Sequence, residues 1–304
     1  MAVRCSKTAY LLGTDREYKL AKIAHIINPV NVSESSSLHL AQQITFQSML
    51  AAKKFCSDSE SVSLYSICYP EDTPAVPDHF IKLPEMERSI LDMGAFKVKK
   101  KLPLMEDILS PIKSKENIDY VIYTNVDIAL MPSFYDYIQC KIGSGADSFI
   151  INRRTIRHFT KDTPLADLYS RIGFVHAGYD CFVFKRKTLQ KCDFGAACIG
   201  VNWIGRALYA NLLAHSEKLE VIKHAHLTFH LGDDMEWRSD KFSDYDLHNK
   251  KEVEKLINTI LASPITETKS IELKQILSYM NAWGNNTNVS LLTRVYNRLK
   301  SMVS

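Results

Sequence analysis

Glycine is scarce in this chain, with 11 among 304 residues, and neither GxGxxG nor a GxxxxGK sequence followed by Ser or Thr is present. Both motifs use glycine to let backbone close on phosphate, so their absence argues against a Rossmann dinucleotide site and a P-loop ATPase or kinase. No CxxC pair occurs. The seven cysteines (Cys5, Cys56, Cys68, Cys140, Cys181, Cys192 and Cys198) form an odd set, and the DFGAA stretch between the last two is not zinc-ligand spacing. Free thiols in apolar runs fit a reducing compartment, which makes a cytoplasmic location the expectation and gives the sequons at Asn31, Asn285 and Asn288 little weight. Long apolar runs are also missing. The start leads into a short apolar segment broken by Asp15 and Arg16, neither a signal peptide nor a membrane span. A formal net charge of +4 is too small to suggest a nucleic-acid protein, and no repeat or low-complexity tract is seen.

What is present reads as an ordinary globular chain, 46% hydrophobic and 24% charged, long enough for one large α/β domain or a domain with an appendage. Its organising stretch is residues 119–131. Tyr120 to Tyr123 suit a strand buried on both faces, and the run then breaks into Thr124-Asn125-Val126-Asp127 at the carboxyl end. Ligands bind at that edge of open parallel sheets. In extended chain Asn125 and Asp127 point the same way, an amide and a carboxylate suited to a hard cation shared with phosphate oxygens, although the same residues also form turns and caps.

Around that strand the pattern alternates. Leu20 to Val30 reads as the first strand, ended by Asn28-Pro29, and Ser33 to Ser37 supplies caps for a helix over about 38–55. Leu40, Ile44, Ala51 and Phe55 mark that helix's apolar face, with Gln47 interrupting it and Gln42 pointing away. Strands are expected over 61–69, 80–83 and 147–152, and mostly helix over 85–109, broken near Gly94 and Pro103. That last region carries Lys97, Lys99, Lys100 and Lys101, a charge run that reads as a solvated face, with phosphate or a peripheral membrane surface as the alternative. Adjacent Arg153 and Arg154 at a strand end could clamp an anionic group or form surface pairs. Residues 160–173 read as loop, and Asp180 stands directly before the strand Cys181 to Phe184. A helix is expected over 199–214. Val221 to Leu231 reads as a single strand that would project His224, His226 and His230 from one face. From about residue 241 the chain is charged and helical, with 243–249 as a linker and helices over 271–280 and 289–302. Such alternation indicates a mostly parallel central sheet flanked by helices, spanning 1–240, followed by a helical C-terminal extension over 241–304.

A central strand ending in an acidic triplet, a further strand pair and a late strand ending in histidine together resemble the GT-A class of nucleotide-sugar glycosyltransferases. The resemblance covers roughly residues 20–235, with Asn125-Val126-Asp127 as a variant of the class's D-x-D triplet. It implies a Mn²⁺ or Mg²⁺ ion bridging the diphosphate of a nucleotide-diphosphate sugar donor, held by Asp127 and by His230 or His226. It further implies that Asn125 meets the donor ribose or sugar and that Asn28, Pro29 and Val30 line the nucleotide pocket. Asp180 would meet a glycan or glycoconjugate acceptor and act as base if the enzyme inverts. Arg153 and Arg154 could add positive charge at the leaving group, Asp233 and Asp234 are reserve carboxylates, and Trp237 could stack on a sugar or base. Two other readings remain: a sugar nucleotidyltransferase, which would want glycine and lysine in the loop after the first strand, and a non-catalytic binding module that has lost the acid at 125.

Overall fold

The computed structural model describes residues 20–176, 178–232 and 240–285. In chain order it builds β1 (Ile23–Ile27), α1 (Ser37–Phe55), β2 (Val62–Ser66), β3 (Ile81–Lys82), α2 (Met105–Lys113), β4 (Tyr120–Thr124) and β5 (Ile128–Leu130). There follow α3 (Phe134–Gly143), β6 (Ser148–Ile151), β7 (Arg154–Ile156), α4 (Leu165–Ser170), β8 (Phe174–Val175) and β9 (Cys181–Lys185). The last elements are α5 (Arg186–Leu189), α6 (Ile204–His215), β10 (Leu219–Ile222), β11 (Thr228–Leu231), α7 (Ser243–Leu261) and α8 (Glu267–Asn285).

Seven strands form the main sheet in the order β10-β6-β9-β4-β1-β2-β3. All run parallel except β9, which is antiparallel to both β4 and β6. The carboxyl ends of the parallel strands and the amino end of β9 therefore share one rim. Strand side chains alternate between two faces. Ile23, Ile27, Ile122 and Val183 pack with Phe46 and Met49 of α1 and Phe134 and Ile138 of α3. Ala24, Ile26, Val121 and Phe182 face the opposite layer, where α2, α6, α7 and α8 lie. The helical region expected from residue 241 thus contributes Val253, Ile257, Leu273 and Met280 to the same core as the sheet. A smaller sheet, β5-β11-β7-β8, packs Ala129, Phe229 and Ile156 against Ala41 and Ile44 of α1.

That double packing explains a difference from the expected α1. Ser36 caps it as anticipated, its Oγ accepting from Leu38 N at 3.3 Å. The buried face, however, includes Gln42, while Gln47 is exposed and Phe55 is 54% exposed. A helix wedged between two sheets buries more than one stripe, and Gln42 is buried because its amide bonds both the N–H and C=O of Val30.

Other expectations also gave way. Residues 85–109 hold only a short 3₁₀ turn, Ile90–Asp92, before α2 begins. The exposed lysine run lacks an apolar stripe to nucleate helix, and its backbone is tied down by Tyr245, whose hydroxyl accepts from Lys100 N at 2.8 Å. Lys101 pairs with Glu71 at 2.6 Å and lies 3.7 Å over the Tyr69 ring. The loop expected over 160–173 contains α4. The linker expected over 243–249 is the first part of α7, with Tyr245 and Asn249 fully buried. Asn249 holds both the N–H and C=O of Cys198, which no local pattern reveals. The helix expected over 289–302 lies outside the described residues.

Candidate functional site

β1, β4 and β6 each end one residue before an asparagine: Asn28, Asn125 and Asn152. The rim they mark concentrates unsatisfied polar atoms. Among the described residues eleven buried side-chain polar atoms lack a hydrogen-bond partner, and six lie here: Asn28 Oδ1, Ser66 Oγ, Asp127 Oδ1, Asn152 Oδ1, Arg153 Nε and Asp180 Oδ2. Buried polar groups are ordinarily paired, so the cluster makes this rim the candidate site.

The triplet turns rather than extends. Ile128 N donates to Asn125 O at 3.2 Å, closing a turn that carries the chain from β4 into β5. Asn125 Oδ1 accepts from the Tyr123 hydroxyl at 3.1 Å, so the amide is aimed back along β4 and not beside the Asp127 carboxylate, as extended chain would have had it. Asp127 instead meets His230. β5 and β11 pair antiparallel with Ile128 opposite His230, and this register brings His230 Nε2 to 3.1 Å from Asp127 Oδ2.

His230 Nδ1 lies 3.1 Å from the Gly232 carbonyl, which can only accept, so the Nδ1 proton is committed there. Nε2 then either carries a second proton toward Asp127 or presents its lone pair to whatever cation the two groups share. A ring nitrogen oriented through its other N–H is the usual arrangement of a metal-ligating histidine. The 3.1 Å separation is that of a hydrogen-bonded pair, and the same two atoms are the ones that would turn to a hard cation. Asp127 and His230 are the candidate pair for a divalent cation. They supply only two ligands: among the described residues no group of three or more His, Cys, Asp or Glu could hold a metal. The remaining positions would fall to donor oxygens and water. Burial pushes the Asp127 carboxyl up, but the His230 hydrogen bond and the positive charges of His230 and Arg153 outweigh it and hold it below the ordinary value.

Arg153 lies close enough for its charge to act on Asp127, and it pairs with Asp180. The arginine side chain is 17% exposed and that of Asp180 8%. His176 Nε2 stands 3.9 Å from Asp180 Oδ2, and Asn152 Nδ2 donates to His176 O at 3.1 Å. Arg154 faces elsewhere: its guanidinium donates to the carbonyls of Ile172 and Gly173. At the other end of the rim Asn28 Nδ2 donates to Ile67 O at 2.7 Å, Pro29 is buried, and Asn31 N donates to Asp72 Oδ1 at 2.8 Å.

The three-histidine face does not form. Residues 221–231 divide between β10 of the main sheet and β11 of the smaller one, leaving His224 and His226 in the connection. An even-spaced run cannot show that its middle leaves one sheet for another. His226 is shifted down by burial and by the Arg154 charge. Asp233, Asp234 and Trp237 lie outside the described residues. Ser66, Asn152 and His176 were not singled out from sequence; the repeated Ile-Ile-Asn at 26–28 and 150–152 was a usable signal for Asn152.

No family model matches the chain, and no curated protein matches it in sequence. Solved structures do. S. aureus TarS 1-349 in complex with UDP-GlcNAc superposes with a TM-score of 0.54 at 9% identity, over 90% of this chain and 77% of that one. The same fragment with UDP gives 0.52 at 10% identity and the same coverage. TarS is a GT-A-type glycosyltransferase. The fold is GT-A. Against the longer S. aureus TarS structure the TM-score is 0.55 at 11% identity, and this chain spans 46% of that one's length. In GT-A terms, the unsatisfied atoms line the carboxyl rim of the main sheet, and Asn125-Val126-Asp127 follows its central strand β4.

Proposed function

We propose that this chain is a glycosyltransferase that moves a sugar from a nucleotide-diphosphate sugar to a glycan or glycoconjugate acceptor, assisted by Mn²⁺ or Mg²⁺. The observation that carries the reading is the Asp127–His230 pair, one carboxylate and one tautomer-fixed imidazole at the rim of a GT-A sheet. UDP sugars are the first donors to try, since TarS has been crystallised with UDP-GlcNAc and with UDP.

In this reading Asp127 and His230 hold the cation, which when bound would supply positive charge to the departing diphosphate. Asn28, Pro29 and Val30 line the nucleotide side, with Val30 braced by Gln42. Asn125 keeps its Nδ2 for a donor hydroxyl. Arg153 adds a positive charge between Asp127 and Asp180, stabilising the negative charge that grows on the leaving oxygen. Arg154 supports the site indirectly, by bracing the turn at Ile172 and Gly173. Asp180 takes the acceptor hydroxyl's proton if the transfer inverts, and orients that hydroxyl if it retains. Because Asp180 is engaged by Arg153, accepting a proton requires the guanidinium to shift toward the diphosphate, which ties base activation to donor binding.

One observation favours a second reading, a non-catalytic nucleotide-sugar module: the amide at 125 replaces a carboxylate. A nucleotidyltransferase is disfavoured because the loop over 31–37 has neither glycine nor lysine. Titration calorimetry with UDP, GDP and CDP sugars, with and without Mn²⁺, separates these. Cation-dependent binding with slow donor hydrolysis, lost in Asp127→Ala with unchanged circular dichroism, is the expected result. Unchanged binding in Asp127→Ala removes Asp127 from the site, and binding without turnover on any acceptor overturns catalysis in favour of the module.

A further inference from the structure

We propose that the turn at Ile172–Val175 is a membrane-surface anchor that docks this rim of the protein on an anionic lipid bilayer. Ile172, Phe174 and Val175 are 67%, 58% and 52% exposed, three large apolar side chains gathered within four residues. Soluble surfaces scatter such residues singly; grouped ones mark an interaction site. Phe174 and Val175 form β8, the edge of the smaller sheet, paired with Thr155 and Arg154 of β7.

The turn is firmly built. Gly173 has φ +63°, and a Cβ there would meet Thr155 O at 2.6 Å. Arg154 fastens the carbonyls of Ile172 and Gly173 from beneath. The apolar side chains are thus held outward on a rigid base, with little ordering left to do on contact.

Charge selects the occupant. Setting aside the Arg153–Asp180 pair, residues 154–176 carry four Arg or Lys (Arg154, Arg157, Lys161, Arg171) against Asp162 and Asp167, an excess of two in a chain whose whole formal excess is +4. Arg157 lies 4.7 Å over the Phe174 ring, which sets a cation at the base of an apolar projection. Apolar side chains entering the acyl boundary with basic groups at headgroup level is how interfacial elements hold anionic leaflets. A strand partner is disfavoured, because a two-residue edge offers little to pair with. A protein partner wants roughly 800 Å² per side, far more than three projecting side chains present. The inference does not depend on the glycosyltransferase reading.

The test is vesicle flotation of the full chain with phosphatidylcholine alone and with equal parts phosphatidylcholine and phosphatidylglycerol. The expected result is binding to the anionic vesicles, weakened by salt and reduced roughly tenfold or more in Ile172→Ser/Phe174→Ser, whose circular dichroism and thermal midpoint match wild type. Absence of binding to anionic vesicles overturns the proposal. So does binding that the double substitution leaves intact, which would transfer the contact to the Lys97–Lys101 run. Self-association abolished by the same substitutions, without vesicle binding, would make the turn an interface between copies instead.

Discussion

His25 stands in the middle of β1 with no exposure, its Nδ1 2.8 Å from the Tyr135 hydroxyl and its Nε2 2.9 Å from Thr124 Oγ1. Burial pushes it down from 6.5 to about 3, so folding takes up a neutral imidazole. Between those values the unfolded chain binds the proton and the folded chain does not. Stability must therefore fall as pH drops through 6.5 and go on falling toward 3. At 1.36 kcal/mol per pH unit, moving from about pH 7 to about pH 5 removes about 2 kcal/mol through this residue alone. His79, His215 and His226 are also shifted down, mainly by burial, and add slopes of the same sign. The measurement is thus a comparison: urea unfolding at both pH values for wild type and His25→Gln, which cannot titrate. Wild type should lose about 2 kcal/mol more than the variant over that interval. Equal losses, or an NMR titration of His25 with a midpoint near 6.5, would refute the reasoning. Because Thr124 is the last residue before the triplet, donor binding should weaken over the same acid range.

Arg153→Leu leaves the buried Asp180 carboxylate with only His176 beside it and should cost about 3–5 kcal/mol in urea unfolding, whereas Arg153→Met/Asp180→Leu should recover much of that stability without recovering transfer. His230→Gln should weaken Mn²⁺-dependent nucleotide binding at least tenfold while leaving the unfolding midpoint near wild type, read by calorimetry and urea titration side by side. Gln42→Leu frees both backbone groups of Val30 and should cost about 1–3 kcal/mol, with faster amide exchange in the loop after β1. Gly173→Ala forces a Cβ toward the Thr155 carbonyl and should destabilise by about 1–3 kcal/mol, with hydrogen exchange rising first in β7 and β8.

The parts of this molecule legible in its sequence are those fixed by local pattern. Tyr120–Thr124 announces a buried parallel strand because β-branched and aromatic residues run without polar interruption, and Ser36 announces the start of α1. The general position of the candidate site followed from the same strand, since a carboxyl end with Asn125 and Asp127 can be read by eye. What stayed hidden depended on pairing between distant segments. Nothing in residues 221–231 shows that the chain leaves one sheet at Ile222 and enters another at Thr228, so His224, His226 and His230 looked as though they shared one strand face. Gln42 looked like a surface residue and Asn249 like part of a linker because their partners, Val30 and Cys198, are defined only once the chain has folded. Asp180 was legible as a polar residue at a strand boundary, but its engagement by Arg153 was not.

The contact between Asp127 and His230 is a consequence of strand bookkeeping as much as of side-chain chemistry. A slip of one residue between β5 and β11 would set Phe229 or Leu231 where the imidazole now stands, converting a polar corner into a greasy one with no change in composition. Length changes should be tolerated best at the exposed Lys223 and His224 and be ruinous between Asp127 and Leu130. The Asp127–His230 contact is, in that sense, a property of how two short backbone segments are aligned.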